Sequence, residues 1–576
     1  MISHWEHGFL SWNRRGGCAI KRMPRSNRSW CSRGGQARRI WTDHPVCAQI
    51  GSLRQRFFDP RSNPSSSRRG IPFATPWLLL ILITVYFPSC TGQTSADPGV
   101  VTIALDLPPT NLDPRIGTDT SSERLSQLLF VSLVKKDERS EIEPDLATRW
   151  EIPDPRTYVF HLRHDVKFHD GRALTAKDVL FTFRSILNGS VRTVKSGHPY
   201  NLIDSIEAPD AYTVVFRLKE VFAPFLWNMA RGAIGIIPEG SGADFNRHPV
   251  GAGPFEFVRY LQDEEVVLKR SELYFGEKPS ISILRFKIIP EAIVCALELR
   301  KGTVDIALNV LTPDMVEVLR RDDDLKVMQA EGTRYQYVAF NLDDPVFRDI
   351  RVRQAFAYGI DREKIIKYLW RGQAQPAANV IPPNNWAYES SVKIYPYDPE
   401  RARALLKDAG HEHLSFTYRT SSDDTGRLMA AILQQQLREI GVSMEIRSNE
   451  FATFYADIIA GNFQMYSLRW IGGNNDPDIF NLIFHSKMVP NNGANRGHYS
   501  NPRVDQLIEL SRREIDVEKR RQAYHEIQRI AAEELPYISL FYADNVCVYN
   551  KRIDGIKLYP AGDYDFLTDV RISPVP

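Results

Sequence analysis

The sequence predicts a large globular protein of mixed α/β class, and three observations support this. The chain has 576 residues, of which 43% are hydrophobic and 11% aromatic, so it can bury substantial cores in two or three domains. After residue 100, segments with the period of a β-strand are mixed with segments that have the period of an amphipathic helix. This part contains no internal repeat and no long linker, so one continuous structure is expected.

The run that begins at Tyr158, YVFHLRHDVKFHDGRALTAKDVLFTF, shows the α/β pattern most clearly. Apolar residues alternate with others over its first five positions, which predicts a half-buried strand. Asp170 and Gly171 provide a turn. Thr175, followed three residues later by Asp178, forms a capping box, and apolar residues at helical spacing follow. The run therefore predicts a strand, a turn and a helix that pack as one unit.

Further elements of the first half are predicted from the same periods and from helix caps. Strands are expected in the runs VVTIALDLPP, AYTVVFRL, EEVVLKR and ISILRFKII. One helix is expected to have its cap at Ser121 or Ser122, and another is expected to end at Gly302.

The second half opens with the predicted strand QYVAFNL and contains stronger helix signals. Helices begin after Asp361 and after Asp398, and a third covers residues 428–440. The longest, DVEKRRQAYHEIQRIAAEEL, is stopped by Pro536, and the apolar run YISLFY then forms a strand.

The N-terminal 70 residues differ from the rest in charge. They hold 14 Lys and Arg against 3 Asp and Glu, whereas residues 71–576 hold 59 against 67. We interpret residues 1–70 as an extension from a misassigned start codon, disordered if it is translated. The alternative is a basic arm for anionic surfaces. The acidic body disfavours binding to nucleic acid.

Residues 71–90 resemble a bacterial lipoprotein signal. An apolar run too short to span a membrane follows Arg68 and Arg69 and ends at Cys90. Lipidation of Cys90 would tether a soluble domain to the membrane. Phe87 and Pro88 stand where such signals carry Leu and a small residue, so secretion and an uncleaved anchor are the alternatives.

No pattern in the chain indicates catalysis, a metal site or a cofactor. The run His411-Glu412-His413 follows a helix stop and lacks the spacing of a metalloprotease helix. There is no nucleophile elbow, no phosphate-binding loop and no dinucleotide fingerprint. Cys295 and Cys547 are expected to be buried free thiols.

Five sequence blocks resemble family 5 of the extracellular solute-binding proteins, the dipeptide, oligopeptide and nickel receptors of ABC importers. They are EPDLATRWEI with the run at Tyr158, VGAGPFEF, LRKGTVDIAL, FRDIRVRQAFAYGIDREKI and YDPERARALLKDAG. The resemblance covers nearly everything after Val100. It implies a two-lobed periplasmic-binding-protein fold that closes on a ligand.

The resemblance also implies a division of the chain. Lobe I comprises residues 97–134, 250–335 and 536–576, an inserted subdomain comprises residues 135–249, and lobe II comprises residues 336–535. The chain is expected to cross between the lobes near residues 336 and 536, which act as hinges.

The run RWIGGNNDPDIFNLIF contains most of the candidate ligand-binding residues. A loop rich in Gly and Asn lets backbone groups approach a ligand, and Trp provides a flat apolar wall. Family peptide receptors carry, at the position of Gly473, an Asp that pairs with the peptide's α-ammonium. Either Asp476 takes that role or the ligand presents no free amine there. The alternative is a structural turn in which Asp476 and Asp478 cap a helix. The candidates are Arg469, Trp470, Gly472, Gly473, Asn474, Asn475 and Asp476.

Three weaker candidates lie elsewhere. Thr118 and Thr120 match the early loop whose backbone pairs with bound peptide in the resembling receptors, and the alternative is an exposed polar loop. Arg496 is placed to pair with a ligand carboxylate, and the alternative is an ordinary surface arginine.

The expected function is that of an extracytoplasmic receptor, monomeric and tethered through Cys90, which passes a peptide or small solute to an ABC permease. The alternatives are a receptor for a metal chelate or an oligosaccharide, and a lipoprotein that senses ligand or assists folding without transport. We expect Trp470→Ala to weaken binding without unfolding the protein, and unfolding would place Trp470 in the core.

Overall fold

The computed structural model describes residues 99–470 and 476–573. The predictions for residues 1–98, including the signal segment and Cys90, and those for Gly472, Gly473, Asn474 and Asn475 lie outside the described residues. Among the described helices, none has both the length and the apolarity needed to span a bilayer.

The described residues form short and long strands throughout the chain. The strands are β1 (Val100–Leu105), β2 (Val134–Lys136), β3 (Ile142–Pro144), β4 (Ala147–Asp154), β5 (Thr157–Leu162), β6 (Ile203–Asp210), β7 (Thr213–Leu218), β8 (Phe255–Leu261), β9 (Glu265–Arg270), β10 (Ile283–Ile288), β11 (Ile306–Leu308), β12 (Leu325–Phe340), β13 (Ala374–Pro376), β14 (Ser415–Ser421), β15 (Ser443–Asn449), β16 (Met465–Trp470), β17 (Tyr537–Asn550), β18 (Ile553–Asp554) and β19 (Arg571–Ile572).

Helices are concentrated in the second half. They are α1 (Thr120–Leu129), α2 (Ala176–Leu187), α3 (Ala292–Arg300), α4 (Pro313–Leu319), α5 (Pro345–Arg348), α6 (Ile350–Gly359), α7 (Arg362–Tyr368), α8 (Pro399–Asp408), α9 (Asp424–Glu439), α10 (Phe451–Ile459), α11 (Ile479–Phe484), α12 (Pro502–Arg513) and α13 (Val517–Glu534).

The main sheet contains 11 strands in the order β15-β14-β16-β12-β17-β11-β1-β10-β9-β8, with β13 also paired to β17. It is a mixed sheet: β1 pairs in parallel with β10 and β11, whereas β12 pairs antiparallel with β16 and β17. The two longest strands, β12 with 16 residues and β17 with 14, lie side by side in the middle. The predicted mixed α/β class is confirmed.

A separate four-stranded sheet, in the order β4-β5-β7-β6, contains the run that begins at Tyr158. Tyr158, Phe160 and Leu162 are buried on one face of β5. Helix α2 follows with the predicted capping box, in which the backbone N–H of Thr175 donates to Oδ2 of Asp178 at 2.8 Å. Strands and helix share one apolar cluster, so the predicted strand, turn and helix unit is confirmed.

The apolar cores change along the two central strands. On β12, Leu325 belongs to a core that also contains Cys295, whereas Tyr335 belongs to another. On β17, Ala543 belongs to the core around Phe356, and Val546 to the core of Cys295. The apolar cores on the two sides of this change are separate. Strands β12 and β17 therefore belong to both packed bodies of the protein and connect them.

The pairing of β12 with β17 is irregular at this change of core. Its register shifts between Ala330 and Arg334 and again between Gln336 and Tyr337. Gly332 lies in the first irregular stretch, and a methyl group on it would stand 2.4 Å from the carbonyl oxygen of Ala543. Glycine is therefore required here because the two backbones approach too closely for a side chain.

We expect Gly332→Ala to lower the free energy of unfolding by about 2 kcal/mol, since the added methyl must push two central strands apart. Urea unfolding followed by circular dichroism measures this loss. Gly242→Ala is the matched control, because its new methyl would meet only the movable carboxylate of Asp244, at 3.2 Å. Equal stability of the two variants would contradict the close approach at Gly332.

Several predicted elements change in detail. The cap of α1 is Asp119, whose Oδ1 accepts from the backbone N–H of Ser122 at 2.9 Å, so the predicted cap at Ser121 or Ser122 is wrong. Helix α9 begins at Asp424, earlier than the predicted residue 428, because Asp423 caps it. Strand β12 starts at Leu325, well before the predicted run QYVAFNL.

The two cysteines in the described residues are free and buried, as predicted. Cys295 lies in α3 and Cys547 in β17, and neither forms a disulfide. Burial raises the pKa of the Cys295 thiol to about 12, so this sulfur is protonated and unreactive at neutral pH.

Candidate functional site

Trp470 is the last residue of β16 and lies in a core. Its side chain is 7% exposed, and its ring stacks on that of Tyr337 with centroids 6.2 Å apart and planes 10° apart. Phe480 and Tyr524 belong to the same cluster. Within the described residues, Trp470 is therefore positioned by aromatic packing.

Arg496 packs against the same cluster. It is 2% exposed, and its guanidinium carbon lies 5.4 Å from the ring centroid of Trp470 and 5.3 Å from that of Tyr455. Nη2 of Arg496 donates to the hydroxyl of Tyr455 at 2.9 Å. The structure thus places Arg496 and Trp470 together, in cation–π contact.

Asp476 forms a buried ion pair. Its Oδ2 accepts from Nη2 of Arg520 at 2.6 Å, and the two side chains are 0% and 5% exposed. Oδ1 of Asp476 accepts from the backbone N–H of Asp478 at 3.1 Å. Burial raises the pKa of Asp476, and the charge of Arg520 opposes that shift. The carboxylate is fixed by residues of its own chain and anchors the segment that follows the Gly-Asn loop.

Asp478 links the same segment, through Arg512, to the apolar cluster under the four-stranded sheet. Its Oδ1 lies 2.8 Å from Nε of Arg512 in α12. The guanidinium carbon of Arg512 lies 5.2 Å from the ring centroid of Phe222, which belongs to the apolar cluster of β5 and α2. Asp478 begins α11 without a side-chain cap hydrogen bond, so its carboxylate serves the ion pair.

Thr118 and Thr120 stand at the start of α1. Thr120 is its first residue, and both threonines are half-buried. They flank the cap residue Asp119, so the geometry of this turn is fixed by the carboxylate between them.

Arg469 lies on the sheet face opposite to Trp470. Successive side chains of a strand point to opposite faces, and the β12–β16 register pairs Arg469 with Gln336 and Trp470 with Tyr335. Arg469 therefore shares a face with Gln336 and with Arg334, which lies two residues before Gln336 on β12. Arg469 and Trp470 are neighbours in the predicted site, whereas in the structure Arg469 shares its face with Arg334.

Sequence reasoning missed Arg334 and Arg124. Nη2 of Arg334 donates to the backbone oxygen of Asp544 at 2.6 Å and to Oδ1 of Asn309 at 3.2 Å. The guanidinium carbon of Arg124, in α1, lies 5.2 Å from the ring centroid of Tyr564. A signal for Arg334 exists in the sequence. Arg334 and Gln336 precede Val338 and Phe340 on one face of β12, so that face changes from polar to apolar along the strand.

The described residues hold no cluster of three or more His, Cys, Asp or Glu side chains that fits a metal ion. Among the predicted site residues, the structure brings Trp470 and Arg496 together and places Arg469 on the opposite face of the sheet.

The fold defines the class of this protein. A mixed sheet shared by two packed bodies, with an additional small sheet, is the arrangement of the two-lobed periplasmic binding proteins. The chain belongs to the bacterial extracellular solute-binding proteins, family 5, whose middle-region model matches residues 141–490. The resemblance predicted from the five sequence blocks is confirmed.

Alignments with individual relatives cover most of this chain and most of the relative. Di/tripeptide-binding protein 2 of Pseudomonas aeruginosa is 31% identical over an alignment of 513 positions, which covers 83% of this chain and 96% of that protein. The periplasmic protein DppA of Helicobacter pylori in complex with the peptide STSA has a TM-score of 0.70 and 28% identity, covering 83% of this chain and 98% of that one. NikZ of Campylobacter jejuni in complex with Ni(L-His) has a TM-score of 0.71 and 28% identity, covering 83% of this chain and 100% of that one.

Proposed function

We propose that the protein is the substrate receptor of an ABC importer, which captures a peptide between its two lobes and delivers it to a membrane permease. Family membership is the observation that carries the proposal. This chain aligns with relatives named as di/tripeptide-binding proteins over 96% and 90% of their lengths. The similarity therefore includes nearly the whole of each relative.

The central strands support a closing mechanism. The lobes have separate apolar cores, and β12 and β17 connect them through an irregular stretch around Gly332. Rotation about this stretch changes few core contacts. A ligand that touches both lobes then favours the closed arrangement by its better contacts there.

The division into lobes and the membrane tether are part of this proposal. We assign residues 97–134, 250–335 and 536–576 to lobe I, residues 135–249 to the inserted subdomain and residues 336–535 to lobe II. Because the apolar core changes in β17 between Ala543 and Val546, we propose that the lobe boundary in this strand lies there and not at residue 536. A lipid on Cys90 would hold the monomeric receptor at the outer face of the membrane, next to its permease.

A metal-chelate or other amine-free solute is the second candidate, and one observation favours it. Gly473 stands where peptide receptors have the acid that meets the α-ammonium, and Asp476 is already paired with Arg520. A buried ammonium without a partner is costly. A structural relative holds Ni(L-His), so a chelate is compatible with this fold.

Mass spectrometry of small molecules that co-purify with the protein tests the proposal. We expect a mixture of short peptides, and small-angle scattering should show that the same peptides compact the protein. A single non-peptide species would favour the second candidate. A protein that retains no solute and never compacts with peptides or nickel chelates would contradict the receptor function.

A further inference from the structure

We propose that Arg124, Arg334 and Arg469 together bind an anionic group of the ligand, either a carboxylate or a phosphate. This inference rests on the proposed function, because it gives the receptor's ligand a chemical requirement. The three side chains come from helix α1, the crossing strand β12 and the end of β16.

Arg334 and Arg469 lie on one face of the main sheet. The antiparallel register places Arg469 directly opposite Gln336, and Arg334 precedes Gln336 by two residues on the same face. Diagonal neighbours of this kind stand about 7–8 Å apart. Two long guanidinium side chains at that separation can reach one small anion.

Arg124 reaches the same place from the other side of the crossing. A methyl group at Gly562 would stand 2.8 Å from Nη2 of Arg124 and 3.2 Å from Nδ2 of Asn309. Oδ1 of that same Asn309 accepts from Nη2 of Arg334 at 3.2 Å. Arg124 and Arg334 are therefore gathered around one asparagine side chain.

None of the three arginines contacts a carboxylate among the described residues. Arg334 uses Nη2 for its hydrogen bonds to Asn309 and to the Asp544 backbone, and its buried Nε has no hydrogen-bond partner there. Two other buried arginines are neutralised by carboxylates, Arg231 by Asp145 and Arg520 by Asp476, whereas the buried Arg496 is held by Tyr455 and Trp470. The three positive charges are thus not neutralised by an ion pair with a carboxylate of the described residues.

The electrostatics of the cluster agree with its geometry. Burial, reinforced by the like charges of Arg469 and Arg124, lowers the pKa of Arg334 to about 9, although Asp544 and Asp106 oppose the shift. Burial also lowers the pKa of Arg469, and the charge of Asp423 opposes that shift. Arg469 is nevertheless exposed to solvent, as a residue that lines an open concave surface is. An anion there would offset the unfavourable environment of Arg334 and Arg469.

A carboxylate or a phosphate matches this cluster best. The planar guanidinium fork donates two parallel hydrogen bonds to two oxygens of either group. Because one arginine lies on each side of the crossing and the third lies in it, an anion that contacts all three also favours one arrangement of the lobes.

Thermal unfolding and calorimetric titration of the purified protein test this cluster. The probes are inorganic phosphate, trialanine and trialanine amide, each measured against sodium chloride at equal ionic strength. We expect phosphate or trialanine to bind and to raise the unfolding midpoint, and the amide, which lacks the carboxylate, to do neither. Binding of phosphate alone identifies a phosphate-bearing ligand, and binding of trialanine alone identifies a peptide carboxylate.

Arg469→Gln is the deciding variant, because Arg469 is solvent-exposed whereas Arg334 also holds the fold by its bond to Asp544. The affinity for the bound anion should fall about tenfold or more. Arg447→Gln is the control, since Arg447 is an exposed arginine on β15 with its own partner Glu445, and its affinity should equal that of the unmodified protein.

Two results would overturn the inference. In the first, neither phosphate nor trialanine binds; in the second, Arg469→Gln and the control Arg447→Gln bind the anion with equal affinity. If the protein also retains a solute and compacts with it, only the anion requirement is lost and the receptor function stands. If no solute is retained and no compaction occurs, the receptor function itself is contradicted.

Discussion

Replacing Arg520 with methionine is expected to lower the free energy of unfolding by about 3–5 kcal/mol. Arg520 and Asp476 form an ion pair in which both side chains are almost completely buried. Without the guanidinium, the Asp476 carboxylate must either remain charged in an apolar surrounding or take up a proton, and burial already raises its pKa. Urea unfolding at neutral pH measures the loss.

Arg503→Met is the matched control for Arg520→Met. Arg503 pairs with Glu526 at 2.7 Å, but the two side chains are 55% and 35% exposed, so this change should cost at most about 1 kcal/mol. Adding Asp476→Asn to Arg520→Met should recover part of the stability, because no buried charge is then left alone. Similar small losses in both single variants would show that the Asp476 pair is not buried in solution.

Replacing Trp470 with alanine is expected to lower the free energy of unfolding by about 3–5 kcal/mol. The indole is 7% exposed, stacks on Tyr337 and faces the guanidinium of Arg496, so its removal leaves a cavity and takes one aromatic partner from the buried Arg496. This result differs from the sequence-based expectation, in which the variant loses binding and keeps its stability. Thermal and urea unfolding distinguish the two.

Trp470→Phe distinguishes the effect of losing the aromatic ring from the effect of losing part of the side-chain volume. Phenylalanine keeps a ring against Tyr337, so it should retain most of the stability that alanine loses. If Trp470→Ala unfolds like the unmodified protein and instead binds ligand poorly, the original expectation for Trp470 is supported.

The sequence predicted the fold well where signals are local. The alternation in β5, the capping box at Thr175 and the caps at Asp361 and Asp398 depend on residues close in the chain, and the structure contains all of them. The five family blocks then supplied the two-lobed arrangement, which no local period reveals.

The sequence predicted less of the candidate site because its contacts join distant residues. From the sequence alone, Asp476 is an acidic residue in a predicted loop. Its ion-pair partner Arg520 lies 44 residues further along the chain and gives no local signal. The first part of β12 has no apolar alternation, since Gly332 and Arg334 lie where the strand leaves one core and enters another. Arg124 and Arg334 are distant in the chain and lie near each other beside Asn309 and Gly562.

The position of β17 in the chain has a consequence for biosynthesis. This strand pairs with β11, β12 and β13 in the middle of the main sheet, yet it follows every other strand of that sheet in the sequence. A growing polypeptide thus lacks the central partner of β11, β12 and β13 until all other strands of the main sheet have been translated. The main sheet can therefore be completed only near the end of synthesis.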